Sequence, residues 1–236
     1  MNILALDTAD NVLSVALETE AGISYAEIDA GMRHSELLLE TADGLCRSAG
    51  ISPADIATVA CMKGPGSFTG LRIGFSAAKG VALALGIPLA AIPTLDCLAC
   101  PLSIWPGIVL AAMDAKKSCF FAALYRGGQR LTDYVDAPPQ AIAQAAKAAR
   151  LSPDERIVLT GSGAEPLFSH LADCFPPGRI QVNPGWRKGG AKELLLLAKS
   201  AITDNRNDIS LGPAYIRKSD AELNADKRWA GKEWQI

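Results

Sequence analysis

Apolar and polar positions along the chain alternate in blocks that read first as strands and then as helices. Residues 3–7 (ILALD) are a short apolar run closed by an aspartate. Residues 12–17 (VLSVAL) resume after a turn rich in Asp and Asn, so the pair predicts a hairpin. Residues 23–28 (ISYAEI) predict a third strand. The period then changes. Leu38, Ala42, Leu45 and Ala49 recur at helical spacing over 34–49, with Gly50 placed to end the helix. Leu37 and Leu39 fall on other sides of it. Residues 56–62 (IATVACM) predict a strand running into Gly64-Pro65-Gly66. A helix from about Ser67 to Leu85 follows, stopped by Gly86 with Pro88 beyond.

The second half repeats the opening. Residues 108–114 (IVLAAMD) are again an apolar run ending in Asp, and 119–124 (CFFAAL) follow a polar turn. A shift of 107 positions lays Asp7 on Asp114, Ala5 on Ala112, Ala16 on Ala123 and Leu17 on Leu124. Further strands are expected near 130–135 and at 157–160, and helices near 138–150, at 165–173 and at about 191–202. A tandem duplication of an α/β lobe explains the order, with the first lobe over 1–104 and the second over 105–236. The segment 93–107 links them and has room for a short helix between Pro93 and Pro101. The tail from Lys218 is polar and charged; Trp229 and Trp234 suggest that parts of it dock.

Composition narrows the function classes. Of 236 residues 49% are hydrophobic, which rules out a disordered chain. Lys and Arg number 23 against 25 Asp and Glu, a net charge of −2, which argues against a freestanding nucleic-acid binder while leaving room for a local basic patch. No apolar run reads as a membrane span, and the N-terminus lacks the basic start of a signal peptide. Of the six cysteines, four lie in apolar segments as reduced core thiols do, so cytoplasmic residence is expected. Cys97 and Cys100 form a C-x-x-C with no second pair, and the two histidines, His34 and His170, are remote. A structural role is favoured over zinc or redox chemistry.

The strongest local motif is Gly64-Pro65-Gly66-Ser67-Phe68-Thr69-Gly70-Leu71-Arg72-Ile73-Gly74. It leaves a strand and opens a helix, where backbone N–H groups can hold an anion. It matches neither G-x-x-x-x-G-K-[ST] nor G-x-G-x-x-G. Close packing competes with ligand binding here: Gly70, Gly74 and Ala78 recur every four residues and make a smooth helix face. Asp7-Thr8 and Asp114 stand at strand-to-turn junctions, where a carboxylate serves either a nucleotide through Mg²⁺ or the turn itself. Gly161-Ser162-Gly163 suits phosphate approach or a tight turn equally. No H-x-x-x-H, H-E-x-x-H or G-x-S-x-G occurs, so metal and serine chemistry are poorly supplied. His34 opens its helix and reads as a capping or interface residue before a general base.

The strings ILALDTADNVLSVAL, RHSELLLETADGL, GPGSFTGLRIG and Pro213-Ala214-Tyr215-Ile216-Arg217 closely resemble the bacterial TsaB family, also called YeaZ, over nearly the whole chain. The resemblance implies an actin/Hsp70-like ATPase fold of two ribonuclease-H-like lobes. It also implies a role in making threonylcarbamoyladenosine beside the anticodon of tRNAs reading ANN codons. By it, the catalytic paralogue TsaD binds a metal through H-x-x-x-H in the linking region. The matching stretch here, Pro93 to Ala99, has no His, so this chain is expected to be the non-catalytic scaffold. Its implied partners are TsaD, the ATPase TsaE, a second copy when alone, and tRNA only indirectly. The resemblance implies that the two helices of the first lobe meet their counterparts in a partner. The interface residues expected are His34, Leu38, Leu45, Phe68, Leu71, Phe75 and Ala78, with private core as the alternative. ATP or ADP with Mg²⁺ is the cofactor the fold admits, at Asp7, Thr8 and Gly161 to Gly163 or at the complex interface. An ATPase or kinase of the actin-like superfamily is the competing reading. A tRNA-binding module is weakened by the charge balance, leaving Arg72, Lys79 and the basic tail as minor candidates.

Overall fold

The computed structural model describes residues 1–149, 152, 155–185, 189–204 and 207–217. The expected docking of Trp229 and Trp234 falls outside them.

The first hairpin forms as its pattern requires. β1 (Asn2–Asp7) pairs antiparallel with β2 (Val12–Thr19), and β2 with β3 (Gly22–Asp29). α1 (His34–Ala49) ends on Gly50, whose φ of 69° is the left-handed cap conformation. β4 (Ile56–Gly64) lies parallel to β1, and α2 (Phe68–Leu85) follows, capped by the Ser67 hydroxyl at one end and by Gly86 at the other. β5 (Leu89–Pro93) completes a sheet of order β3-β2-β1-β4-β5. α2 meets the length and mean hydropathy of a membrane-crossing helix, contrary to the first reading, because Arg72 and Lys79 are its only charged residues. Its Leu71, Phe75, Ala78 and Ala82 nonetheless line the protein core.

After α3 (Thr94–Ala99) the second lobe repeats the plan. β6 (Ile108–Asp114) pairs antiparallel with β7 (Phe120–Arg126) and parallel with β10 (Ile157–Thr160), which pairs parallel with β11 (Ile180–Val182). The third-strand position is shared by β8 (Gln129–Arg130) and β9 (Val135–Ala137). The single strand expected at 130–135 is interrupted because the Thr132 hydroxyl accepts the Leu124 N–H, a bond the ladder would otherwise use. α4 (Pro139–Ala148) and α5 (Ala164–Leu171) pack behind this sheet, and α6 (Ala191–Thr203) is the last helix among the described residues. With each lobe running antiparallel, antiparallel, parallel, parallel, this is the duplicated actin-like fold.

The duplication holds, but its register is not uniform. Ile3 and Ala5 of β1 share the central core with Val109, Ala111 and Met113 of β6, while Leu110 and Ala112 belong to the outer core of the second lobe. Ala5 pairs with Ala16 and Ala111 with Ala123, so Ala16 and Ala123 correspond as expected. The counterpart of Ala5 is therefore Ala111 and that of Asp7 is Met113. Side chains alternate faces along a strand, so this one-residue slip puts Asp114 on the opposite face.

α6 breaks the lobe boundary. Although it follows β11, it packs on β1, β2, β4 and β5, and its Ala191, Leu194, Leu195 and Ala198 sit in the central core. α3 packs back onto β6. Each lobe thus contributes one helix to the space between the sheets.

Candidate functional site

Three elements meet at the end of β1. The Asp7 carboxylate is buried and uses both oxygens. Oδ1 accepts the Ala9 N–H at 3.0 Å; Oδ2 accepts the Gly190 N–H at 2.7 Å and the Ser14 hydroxyl at 3.4 Å. The Ser14 hydroxyl in turn accepts the Ala191 N–H at 3.0 Å. These N–H groups open α6, so a carboxylate on β1 receives the positive end of a helix from the far side of the chain. Burial nevertheless raises the Asp7 pKa above its ordinary 3.8, with the two backbone bonds opposing the rise.

Thr8 is also buried, and its hydroxyl donates to the Gly70 carbonyl at 2.7 Å. A Cβ on Gly70 would lie 2.0 Å from the Thr8 carbonyl oxygen, and one on Gly74 would lie 2.3 Å from the Thr8 hydroxyl. The glycine face of α2 is therefore the seat of the β1–β2 turn, which settles the motif's competing readings in favour of packing at these two positions.

The second turn differs. Asp114 is exposed and accepts the Lys116 N–H at 2.7 Å and the Lys116 ammonium at 2.9 Å, which lowers its pKa; burial works against this. It is a turn carboxylate. Lys116, Lys117 and Ser118 have φ of 59°, 56° and 57°, three successive left-handed residues. Gly161 also has positive φ, 94°, and a Cβ there would lie 2.3 Å from the Ala112 carbonyl oxygen. Gly163 donates its N–H to that same oxygen, and Ser162 is half-buried. The five residues expected to hold a nucleotide are thus not assembled as an open cradle: Asp7, Thr8, Gly161 and Gly163 are committed to packing, and Met113 stands where a second acid would be. They do not fit a Mg²⁺-nucleotide cleft.

The expected interface residues also divide. Leu38, Leu71, Phe75 and Ala78 are buried within the chain itself, facing the sheets, so private core is the correct reading for them. His34 is buried too, its Nε2 2.8 Å from the Asp10 carbonyl oxygen. Leu45 is half-buried. The residues turned outward lie outside that expected set: Leu39 is 52% exposed, Leu83 71%, and Met32, just before α1, 90%. Beside them Leu37, Ile73, Ala77 and Val81 are half-buried. The run of three leucines was the signal; which of them faces in follows only from the helix's docking angle.

In the linking region, the Asp96 carboxylate on α3 accepts the hydroxyls of Tyr125 at 2.7 Å and Tyr134 at 2.9 Å. Burial and this carboxylate raise both phenol pKa values. Cys97 and Cys100 are free thiols; burial pushes both up, well up for Cys97, so thiolate chemistry is disfavoured. Among the described residues, no group of three or more His, Cys, Asp and Glu is placed to hold a metal.

Residues 207–217 form a strap after α6, of which the sequence marks only 213–217, by family resemblance. Asp208 accepts the Ala91 N–H at 2.9 Å and donates its own N–H to Leu89, along β5. Ala214 donates its N–H to the Lys63 carbonyl at 2.7 Å. Tyr215 packs on Phe68 with centroids 4.9 Å apart and ring planes tilted by 37°, and Arg72 lies 3.8 Å over the Phe68 ring while donating to the Tyr215 hydroxyl. Arg217 then reaches the second lobe, pairing with both oxygens of Asp136 and donating to the Ala115 carbonyl.

The sequence profile of the family "TsaD: tRNA N6-adenosine threonylcarbamoyltransferase" matches residues 25–169. The Bacillus subtilis tRNA threonylcarbamoyladenosine biosynthesis protein TsaB is 32% identical over 230 residues, covering 94% of this chain and 96% of that protein. The Escherichia coli TsaB is 35% identical over 128 residues, about half of each chain. A solved Pseudomonas aeruginosa protein described as similar to peptidase YEAZ superposes with a TM-score of 0.75 at 25% identity, over 92% of this chain and 99% of that one. YeaZ from Pseudomonas aeruginosa gives 0.73 at 24% identity over 91% and 99%, which shows the same fold. With a relative this similar along nearly the full length of both chains, the chain belongs to the TsaB (YeaZ) family.

Proposed function

We propose that this chain is the non-catalytic scaffold of the machinery that makes threonylcarbamoyladenosine in tRNA, presenting the outer face of α1 and α2 to a TsaD-like catalytic partner. The observation that carries this reading is the second apolar face of those helices. Their inner stripes are already satisfied by the sheets, yet Met32, Leu39 and Leu83 stand in water. An amphipathic surface helix needs one apolar face, so a second marks a contact. The match to the TsaD family supports a partner of similar fold, whose own helix pair would meet this one in a pseudo-symmetric bundle. The same face would join two copies when the chain is alone. TsaE is the further partner proposed, and tRNA reaches the assembly chiefly through TsaD.

The cleft residues support no phosphoryl transfer by this chain itself. We therefore assign ATP or ADP with Mg²⁺ to the complex interface rather than to Asp7. The test is reconstitution with the TsaD of the same organism. Threonylcarbamoyl transfer should need this chain, and a Leu39→Glu, Leu83→Glu double variant should lose both co-elution with TsaD and transfer. Robust ATP hydrolysis by the chain alone would overturn the scaffold reading in favour of an actin-like ATPase.

A further inference from the structure

A slot of about 100 Å³ opens on the outer side of the second lobe, between α4 and the sheet. Its origin is the alanine-rich sequence of α4: Ala141 and Ala145, one helical turn apart, line the slot with side chains too short to fill it. Leu110, Leu124 and Ile142 make a buried floor. Ala141 is exposed at the mouth, and Thr132 and Ala145 there are half-buried. Val135 and Ala137 of β9 form one wall. Asp136 between them points to the other side of the sheet, beside its cross-strand partner Phe121, and Arg217 is held there. The strap therefore delivers the chain to the back of the slot's own wall. Among the described residues β9 pairs with β7 alone, so a chain continuing from Arg217 can turn round its edge.

We infer that the Trp229 side chain enters this slot, so that Arg217 and Trp229 clamp β9 from its two sides. The twelve steps from Arg217 to Trp229 span about 40 Å extended and about 18 Å as a helix, whereas passing from one face of a sheet to the other takes about 10 Å. An apolar cavity of roughly 150 Å³ holds benzene. The slot is smaller but open on one side, so an indole can enter by its hydrocarbon edge and keep its N–H at the mouth. That N–H needs an acceptor when buried. Thr132 carries the slot's one polar side chain; its hydroxyl oxygen accepts the Leu124 N–H at 3.1 Å and has a second lone pair. Charge selects between the two tryptophans of the tail. Asp133, exposed beside Thr132, would meet Lys227 and Arg228 with Trp229 in the slot, but Glu233 with Trp234 there. The edge of a short strand is also a pairing hazard for a second chain, and the clamp covers it. The inference concerns the second lobe and does not depend on the α1–α2 face.

The test is fluorine NMR of the full chain labelled with 5-fluorotryptophan, in which Trp229→Phe identifies the Trp229 resonance among those of the four tryptophans. That resonance should lie away from free 5-fluorotryptophan and should barely move when H₂O is replaced by D₂O. Ala141→Leu and Ala145→Leu, which fill the slot, should each return it to the free position and restore its solvent shift. Asp133→Lys should add a second, solvent-exposed Trp229 resonance at low salt. Being a surface substitution, it keeps the test decisive where a filled slot prevents folding, which circular dichroism checks for each variant. A Trp229 resonance at the free position in the wild type, or a displaced one that no folded slot or Asp133 variant moves, would overturn the inference. So would a protected Trp234 that the filled slot releases while Trp229 stays in water. A displacement that vanishes on dilution would overturn it too, by putting a second copy's tail in the slot.

Discussion

Three glycines on one helix have different reasons to be glycine. At Gly70 and Gly74 a methyl group would strike Thr8, whereas at Gly80 it would meet nothing within 4 Å. Gly70→Ala and Gly74→Ala should each lower stability by about 1–3 kcal/mol through overpacking. Gly80→Ala should raise it by about 0.5–1 kcal/mol, since only helix propensity changes. Urea unfolding of the three variants checks the contrast. Asp7 gives a prediction in pH. Its folded-state pKa lies above 3.8, so the folded chain holds that proton more tightly than the unfolded one. Stability from this group therefore falls as pH rises from 3.8 through the raised value, then levels. The advantage of the wild type over Asp7→Asn should shrink over that window. An advantage that grows with pH would show the carboxyl pKa to be depressed instead.

Adjacent leucines on α1 separate folding from association. Leu38 is buried against the sheet, so Leu38→Ala should cost about 2–5 kcal/mol. Leu39 faces outward, so Leu39→Ala should fall within about 0.5 kcal/mol in denaturant unfolding while weakening co-elution with TsaD. The sequence made these helices legible in extent, because Gly50 and Gly86 end them with left-handed caps. It did not make their orientation legible, because Leu37, Leu38 and Leu39 fit more than one face. β5 and β11 went unread for a related reason: each is a short parallel strand whose pairing is visible only once its neighbours are in place. The twin of Asp7 was misplaced by one residue because alanines on both faces of the hairpin match at either register.

At the scale of the molecule, the described residues join the lobes through α6 between the sheets and through the strap that reaches Arg217, besides the contacts of α3. The Arg217–Asp136 pair is mostly shielded from solvent and bidentate. Arg217→Ala should lower stability by about 1–3 kcal/mol, as loss of charged hydrogen bonds does. Thermal unfolding should show it, and Arg217→Lys should restore only part, since an ammonium cannot make the two parallel bonds. The duplication was legible in the hairpins, but these cross-connections were not. Nothing in the pattern of residues 191–203 says which sheet that helix covers, because both offer small and aliphatic side chains to it.

The bond from Gly190 to Asp7 also has a consequence in time. It joins residues near opposite ends of the described chain, and the inner face of the first sheet stays uncovered until α6 arrives. On a ribosome adding about 5–20 residues per second, that wait is roughly ten to forty seconds. The earliest strands to emerge are thus among the last to be sealed, and this is the interval in which the nascent chain presents its widest apolar surface to chaperones.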